Sequence, residues 1–220
     1  MRGQRPSLVR LPEYSGTSDA PNAPPVAESL ARMVWIGGAE PLKYPEIPRY
    51  ANSLAAGGRE VFLETDGALL RRRVHEFQPV PRFRFVFRFD GVSHNDAAVA
   101  AIRGAKLSGF LVCALTVVKT KDNFAVLAKL QRELYGLELD GYLIVPAVRG
   151  SQLDGALREA RQEFLNRRWA GLSEMFESAV LGENGEAGIA ERGSGENADA
   201  VVRLAPDGAA GRDCEEGAQA

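Results

Sequence analysis

The side chains equipped for chemistry recur at one kind of place, just after short apolar runs. Gly37, Gly38 and Glu40 end the first such run, in "VWIGGAEPLKYPEI". Thr65, Asp66 and Gly67 end a second, Asp90 and Gly91 a third, Thr116 and Lys119 a fourth, and Pro146 a fifth. Two glycines and an acid after a strand form a pattern found at binding sites, because glycine lets the backbone come close to a ligand. Glu40, Asp66 and Asp90 are the candidates for acid or base chemistry, although no spacing pairs them. The same residues also suit plain structural work. Pro41 fits a strand-ending turn, and Thr65, Asp66 and Asp90 fit side-chain caps of the turns or helices that follow.

Other chemistries find little support. The only cysteines are Cys113, inside an apolar run, and Cys214, near the carboxyl end. They form neither a disulfide framework nor a zinc motif, so free cytosolic thiols are expected. His75 and His94 have no cysteine or second histidine at metal-ligand spacing, so no metal site is expected. No GxSxG, Walker or GxGxxG pattern is present. The formal net charge is -2, and from residue 182 onward nine acids face three bases, which leaves the rest mildly basic at 20 acids and 24 bases. That balance falls short of a nucleic-acid binder, and Arg71, Arg72 and Arg73, pointing in different directions around a helix, read as a solvated face. No apolar stretch is long enough to span a membrane, and residues 1–6 do not lead into a hydrophobic signal region, so a cytoplasmic location is expected.

The apolar runs that must position these residues lie at 33–36, 60–65, 83–89, 110–118 and 142–145. They begin roughly 25 to 30 residues apart, the length of a βα unit. Helical patterns fill the gaps at 48–56, 68–77, 96–108 and 123–135, with Gly57, Gly109 and Gly136 at their ends. A longer helical region over 153–180 is expected on the outside or at the base of the sheet. Residues 1–24 are rich in proline and polar side chains and read as an extended or disordered leader. Residues 181–220 are rich in Gly, Ala and Glu and read as a disordered acidic tail. The domain is therefore 25–180, an α/β unit built on a parallel sheet. Periodicity alone fits an incomplete TIM-like (β/α) barrel or an open doubly wound sheet, and both gather ligands beyond the carboxyl ends of the strands.

"FRFVFRFD" alternates strictly, with Phe83, Phe85, Phe87 and Phe89 on one face and Arg84, Val86, Arg88 and Asp90 on the other. In a barrel the aromatic face turns to the helices and Arg88 points inward. There it needs a carboxylate such as Glu64 or an anionic ligand, with the ion pair favoured.

The order of these motifs resembles the radical S-adenosylmethionine (SAM) superfamily: "GGAEPL" for its GGEP motif, "ETDG" for its TNG, and "FRFDG" for its strand ending in LDG. Within it, "EPLKYPEI", "LLRRRVHEFQPVPRF", "FDGVSHNDAAV" and "EFLNRR" resemble the adenosylhopane synthase group of hopanoid biosynthesis, over residues 34–176. The resemblance implies an incomplete barrel of five to six βα units with outer helices. It implies SAM as cofactor, with Gly37, Gly38 and Glu40 at its methionine amino group and Thr65, Asp66 and Asp90 at its ribose or methionine portion. It also implies a [4Fe-4S] cluster held by a CxxxCxxC loop. The sequence lacks that loop, and two distant cysteines cannot supply three thiolates, so no cluster is expected unless the loop is supplied elsewhere. Ala39 falls where the family has its second glycine.

Three functions follow as expectations. The first is a cluster-less relative that binds a nucleoside-like ligand, a partner, or both. The second is a truncated or split radical SAM enzyme, and the third an acid-base enzyme without metal. With the first strand of the barrel replaced by the leader, the sheet would keep an open edge unless the leader itself, a protein partner or a second copy covers it.

Overall fold

The structure is a computed structural model and describes residues 6–11, 31–90, 96–118, 127, 132–134, 136–148, 154–181 and 201–203. Seven strands form one parallel sheet: β1 (Ser7–Leu11), β2 (Met33–Gly38), β3 (Glu60–Thr65), β4 (Phe83–Asp90), β5 (Leu111–Val118), β6 (Gly141–Pro146) and β7 (Val201–Arg203). Helices among the described residues include α1 (Ile47–Ala56), α2 (Leu70–Arg73), α3 (Asp96–Leu107), α4 (Asp154–Phe164) and α5 (Arg167–Leu181).

The strand order, β6-β5-β4-β3-β2-β1-β7, decides between the two architectures that periodicity leaves open. From β1 to β6 each strand lies beside its predecessor in the chain, with no reversal of direction. A doubly wound sheet reverses once, at its ligand crevice. The fold is therefore the α/β, incomplete (β/α) barrel, with β6 and β7 at the ends of an open sheet.

The outer face holds the larger apolar layer. Phe83, Phe85, Phe77 and Phe110 form a cluster of rings whose centroids lie 4.8 to 6.0 Å apart. Ala98, Ala101, Ile102 and Ala105 of α3 are buried at helical spacing, and their small side chains let the helix lie close to the sheet. That helix stops as its sequence indicates. Gly109 takes φ +81, its N–H bonds the Lys106 carbonyl, and the Phe110 N–H bonds the Ala105 carbonyl, the two bonds of a Schellman cap. β5 is buried along nearly its whole length, as expected of a parallel strand covered on both faces.

Several expectations are corrected. The leader is not wholly without structure: Ser7–Leu11 pairs in parallel with β2 over five residues, and Val9 and Leu11 join the core. Their side chains alternate with Leu8 and Arg10, a strand period that the surrounding prolines mask. In the tail, Val201–Arg203 pairs with β1. The β2 edge is thus covered by the chain's own first strand, which removes the reason for a partner or second copy there. The helix expected over 68–77 is a short α2 followed by a 3-10 turn, Val74–Glu76, which tucks Phe77 beneath β4. Of the helix expected at 123–135, residue 127 and residues 132–134 are described, and they are helical.

The carboxyl-terminal helices lie against the inner face and the β6 edge rather than the outside. Ser173 accepts the Ile144 N–H at 3.1 Å, and Arg161 donates to the Ile144 carbonyl at 2.9 Å, so α4 and α5 satisfy the backbone of the end strand. Phe176, wholly buried, reaches the Trp35 and Phe62 rings at 4.9 and 4.7 Å. Among the described residues no helix is long and apolar enough to cross a membrane.

Candidate functional site

Ion pairs at the two ends of the strands do different work. At the amino ends, Arg84 pairs with Glu60 at 3.0 Å and Lys106 with Asp140 at 2.9 Å. At the carboxyl ends, where barrels carry their sites, a pocket of about 360 Å³ opens over β2, β3 and β4. Gly37, Gly38, Ala39 and Glu40 form one wall, Glu64, Thr65 and Asp66 a second, and Arg88 with Phe89 a third. Six of the seven residues singled out as ligand-binding from sequence therefore line one cavity. The seventh, Asp90, ends β4, and its side chain lies outside the described residues. Thr116 does not join the rim; its hydroxyl is buried against the Tyr142 hydroxyl at 2.6 Å. Lys119 and His94 lie outside the described residues.

Glu40 organises the pocket. Its Oε1 accepts the Leu42 N–H at 3.0 Å and the Thr65 hydroxyl at 2.8 Å, and its Oε2 accepts the Asp66 N–H at 2.9 Å. One carboxylate thereby caps the turn after β2 and fastens it to the end of β3. Burial pushes the Glu40 carboxyl above the ordinary range, against the opposing pull of these three bonds. Thr65 accepts the Gly67 N–H at 3.0 Å and Asp66 accepts the Ala68 N–H at 2.8 Å, so both carry out the capping role as well as lining the pocket. Glu40, with both oxygens engaged, is poorly placed to act as a general base.

Replacing Glu40 by glutamine should turn one accepting atom into an NH₂ group facing the Asp66 N–H. The expected loss is about 1–3 kcal/mol of unfolding free energy. Because burial raises the Glu40 pKa, the native state holds its proton to higher pH than the unfolded chain does. Stability from this group is full below the unfolded value of 4.5 and declines as pH rises through the folded value. The gap between parent and Glu40→Gln in urea melts should therefore narrow with rising pH.

Arg88 meets Glu64 at 3.2 Å, the internal ion pair favoured from sequence. Trp35 donates from Nε1 to the other Glu64 oxygen at 3.1 Å. Sequence reading did not place Trp35 here, though period 2 in β2 puts it on one face with Gly37, toward Glu64. Gly37 leaves room for this group: a Cβ there would stand 2.7 Å from Glu64 Oε2. Gly38, at φ +99, packs on β1, where a Cβ would meet the Leu11 carbonyl at 2.6 Å. The two glycines thus serve the fold first and the cavity second.

Arg73 is the functional residue that sequence reading misjudged. Rather than facing solvent, it donates to the carbonyls of Leu42, Tyr44 and Pro45 at 2.6 to 2.8 Å and clasps Glu76 through both Nε and Nη2. Arg71 and Arg72 are exposed, as expected.

Cys113 is fully buried in β5, and burial pushes its thiol up to about 12. A thiol held protonated is a poor metal ligand. Cys214 lies outside the described residues, so this chain's described residues offer no set of three thiolates. Among them, no group of three His, Cys, Asp or Glu side chains is placed to hold a metal ion. In a Cys214→Ser variant, Cys113 should stay unmodified by iodoacetamide in the native state and react once unfolded, as read by mass spectrometry.

No family model matches the chain, and no curated protein does. Solved structures do. SuiB from Streptococcus suis, crystallised with S-adenosylmethionine bound, is similar with a TM-score of 0.51 at 13% identity, over 62% of this chain and 35% of that one. Archaeal TYW1 gives 0.45 at 15% identity, over 62% of this chain and 51% of its own. The chain spans about a third of SuiB's length and half of TYW1's. At this identity the likeness to SuiB is one of fold.

Proposed function

We propose that this chain is a radical SAM-like protein that binds S-adenosylmethionine or a similar nucleoside ligand at the rim of β2, β3 and β4. It acts through that binding rather than by reductive cleavage of SAM. The observation that carries this reading is the convergence of Gly37, Gly38, Glu40, Thr65, Asp66 and Arg88 on one cavity. Its volume, about 360 Å³, lies at the small end of ligand pockets. Motif order and the fold shared with SuiB, a protein crystallised with SAM, support the choice of ligand.

In this reading Glu40 and the Gly37–Gly38 backbone meet the ligand's amino group, Thr65, Asp66 and Asp90 its ribose or methionine portion, and Arg88 its anionic end. A [4Fe-4S] cluster would supply the electron for SAM cleavage, but two cysteines cannot furnish its three thiolates, so no step is assigned to it. A cytoplasmic location, with free thiols, belongs to the same proposal. Titration calorimetry with SAM tests the proposal: measurable heat and a raised melting temperature are expected. Neither effect at millimolar ligand would leave a pure interaction module.

A second reading is an amino-terminally truncated or split radical SAM enzyme of the adenosylhopane synthase group. Uptake of iron and sulfide on anaerobic reconstitution, or an in-frame CxxxCxxC upstream of the start codon, would favour it.

A further inference from the structure

The rim pocket, read as a SAM site, contains a charge imbalance that bears on which ligand it prefers. Among the described residues, four charged side chains line it: Glu40, Glu64, Asp66 and Arg88. Arg88 lies against Glu64, whose second oxygen takes the Trp35 N–H, so this group presents little net charge. Glu40 is met by three donors that carry only partial charges, and burial outweighs their pull and raises its pKa. Asp66 is exposed at the mouth, with Oδ1 on the Ala68 N–H. The described lining thus carries three acidic side chains against one guanidinium, in a cavity walled by Gly37, Gly38 and Ala39.

We propose that this pocket selects its ligand by charge, taking a cationic sulfonium in preference to the neutral thioether of nearly the same shape, with Asp66 as the residue that discriminates. The proposal rests on the SAM-site reading above. A carboxylate at a pocket mouth attracts a cation over its isostere, and the attraction weakens as salt screens it. A thioether makes the same shape contacts and forgoes only the Coulombic part, so the comparison isolates charge.

The test is a titration of the full chain with S-adenosylmethionine and with S-adenosylhomocysteine, followed by tryptophan fluorescence and calorimetry at low and high salt. The sulfonium should bind about tenfold more tightly at low salt, equivalent to about 1.4 kcal/mol. The preference should shrink at high salt and fall to within about twofold in Asp66→Asn. Asparagine keeps an oxygen for the Ala68 N–H, so the turn survives, and an unchanged melting temperature verifies it. Salt dependence in the unmodified protein gives a second readout that does not rely on the variant. Equal affinities for the two ligands, insensitive to salt, would overturn charge selection while leaving the SAM-site reading intact. Binding of neither would overturn both.

Discussion

Replacing Gly141 by alanine is expected to cost at least about 3 kcal/mol of unfolding free energy, a large value for the addition of one methyl group. Gly141 opens β6, and the Trp169 indole of α5 occupies the space that a Cβ there would take. A Cβ would stand 2.6 Å from Trp169 Cε2 and still nearer Cζ2 and Cη2. The backbone of β6 is held on one side by β5 and at its free edge by Ser173 and Arg161. The ring would therefore have to move, and it is buried between the sheet and its own helix. Moving it pulls α5, and with it Phe176, away from Trp35 and Phe62. Urea melts read by tryptophan fluorescence would give the number directly. If steric conflict with the indole is the cause, Trp169→Leu in the same chain should recover part of the loss, with a coupling of about 1 kcal/mol or more. A loss below about 0.5 kcal/mol for Gly141→Ala, the range of an ordinary surface substitution, would mean that α5 does not pack on β6 as described.

That contact shows where the sequence stops being informative. The strands of the barrel were legible because parallel strands buried on both faces read as continuous apolar runs, "LVCALTVV" above all. The stops at Gly57 and Gly109 were legible from the residue types that helix ends require. The seat of 153–180 was not, since an amphipathic helix states which of its faces is buried but not against which surface. Gly141 might have hinted at it: a glycine opening a strand admits a close neighbour, though nothing local says whether backbone, ring or ligand. Ser7–Leu11 escaped notice for a different reason. Five residues flanked by prolines supply too little composition to outweigh their surroundings, and their strand character depends on pairing with β2.

The site divides in the same way. Strand ends in a parallel sheet converge by topology, so Gly37, Gly38, Glu40, Thr65, Asp66 and Arg88 could be gathered without coordinates. Pairing Arg88 with Glu64 followed from the cost of an unmatched charge on an inner face. The roles within the pocket were less accessible. Glu40 bonds a turn two residues on and two groups about 25 residues on, and only the second set makes it the joint between β2 and β3.

Arg73→Met should have the other large effect, roughly 3 kcal/mol, because it removes a charged hub and leaves partners behind. The guanidinium gathers the carbonyls of Leu42, Tyr44 and Pro45, holds Glu76 through two bonds, and is itself only 15% exposed. It ties "EPLKYPEI" to "LLRRRVHEF", two of the stretches on which the family resemblance rests. Lysine should rescue little of the loss, since one ammonium cannot reach three carbonyls and a carboxylate in the planar arrangement that a guanidinium provides. The consequence should also extend to the pocket. Arg73 does not line it, but the segment it holds begins at Leu42, whose N–H is one of the three donors fixing Glu40. Release of that segment should weaken SAM binding by several-fold in Arg73→Met, measured well below its melting temperature, where the chain is still folded. Undiminished affinity alongside the stability loss would confine Arg73 to the fold and separate the clamp from the site.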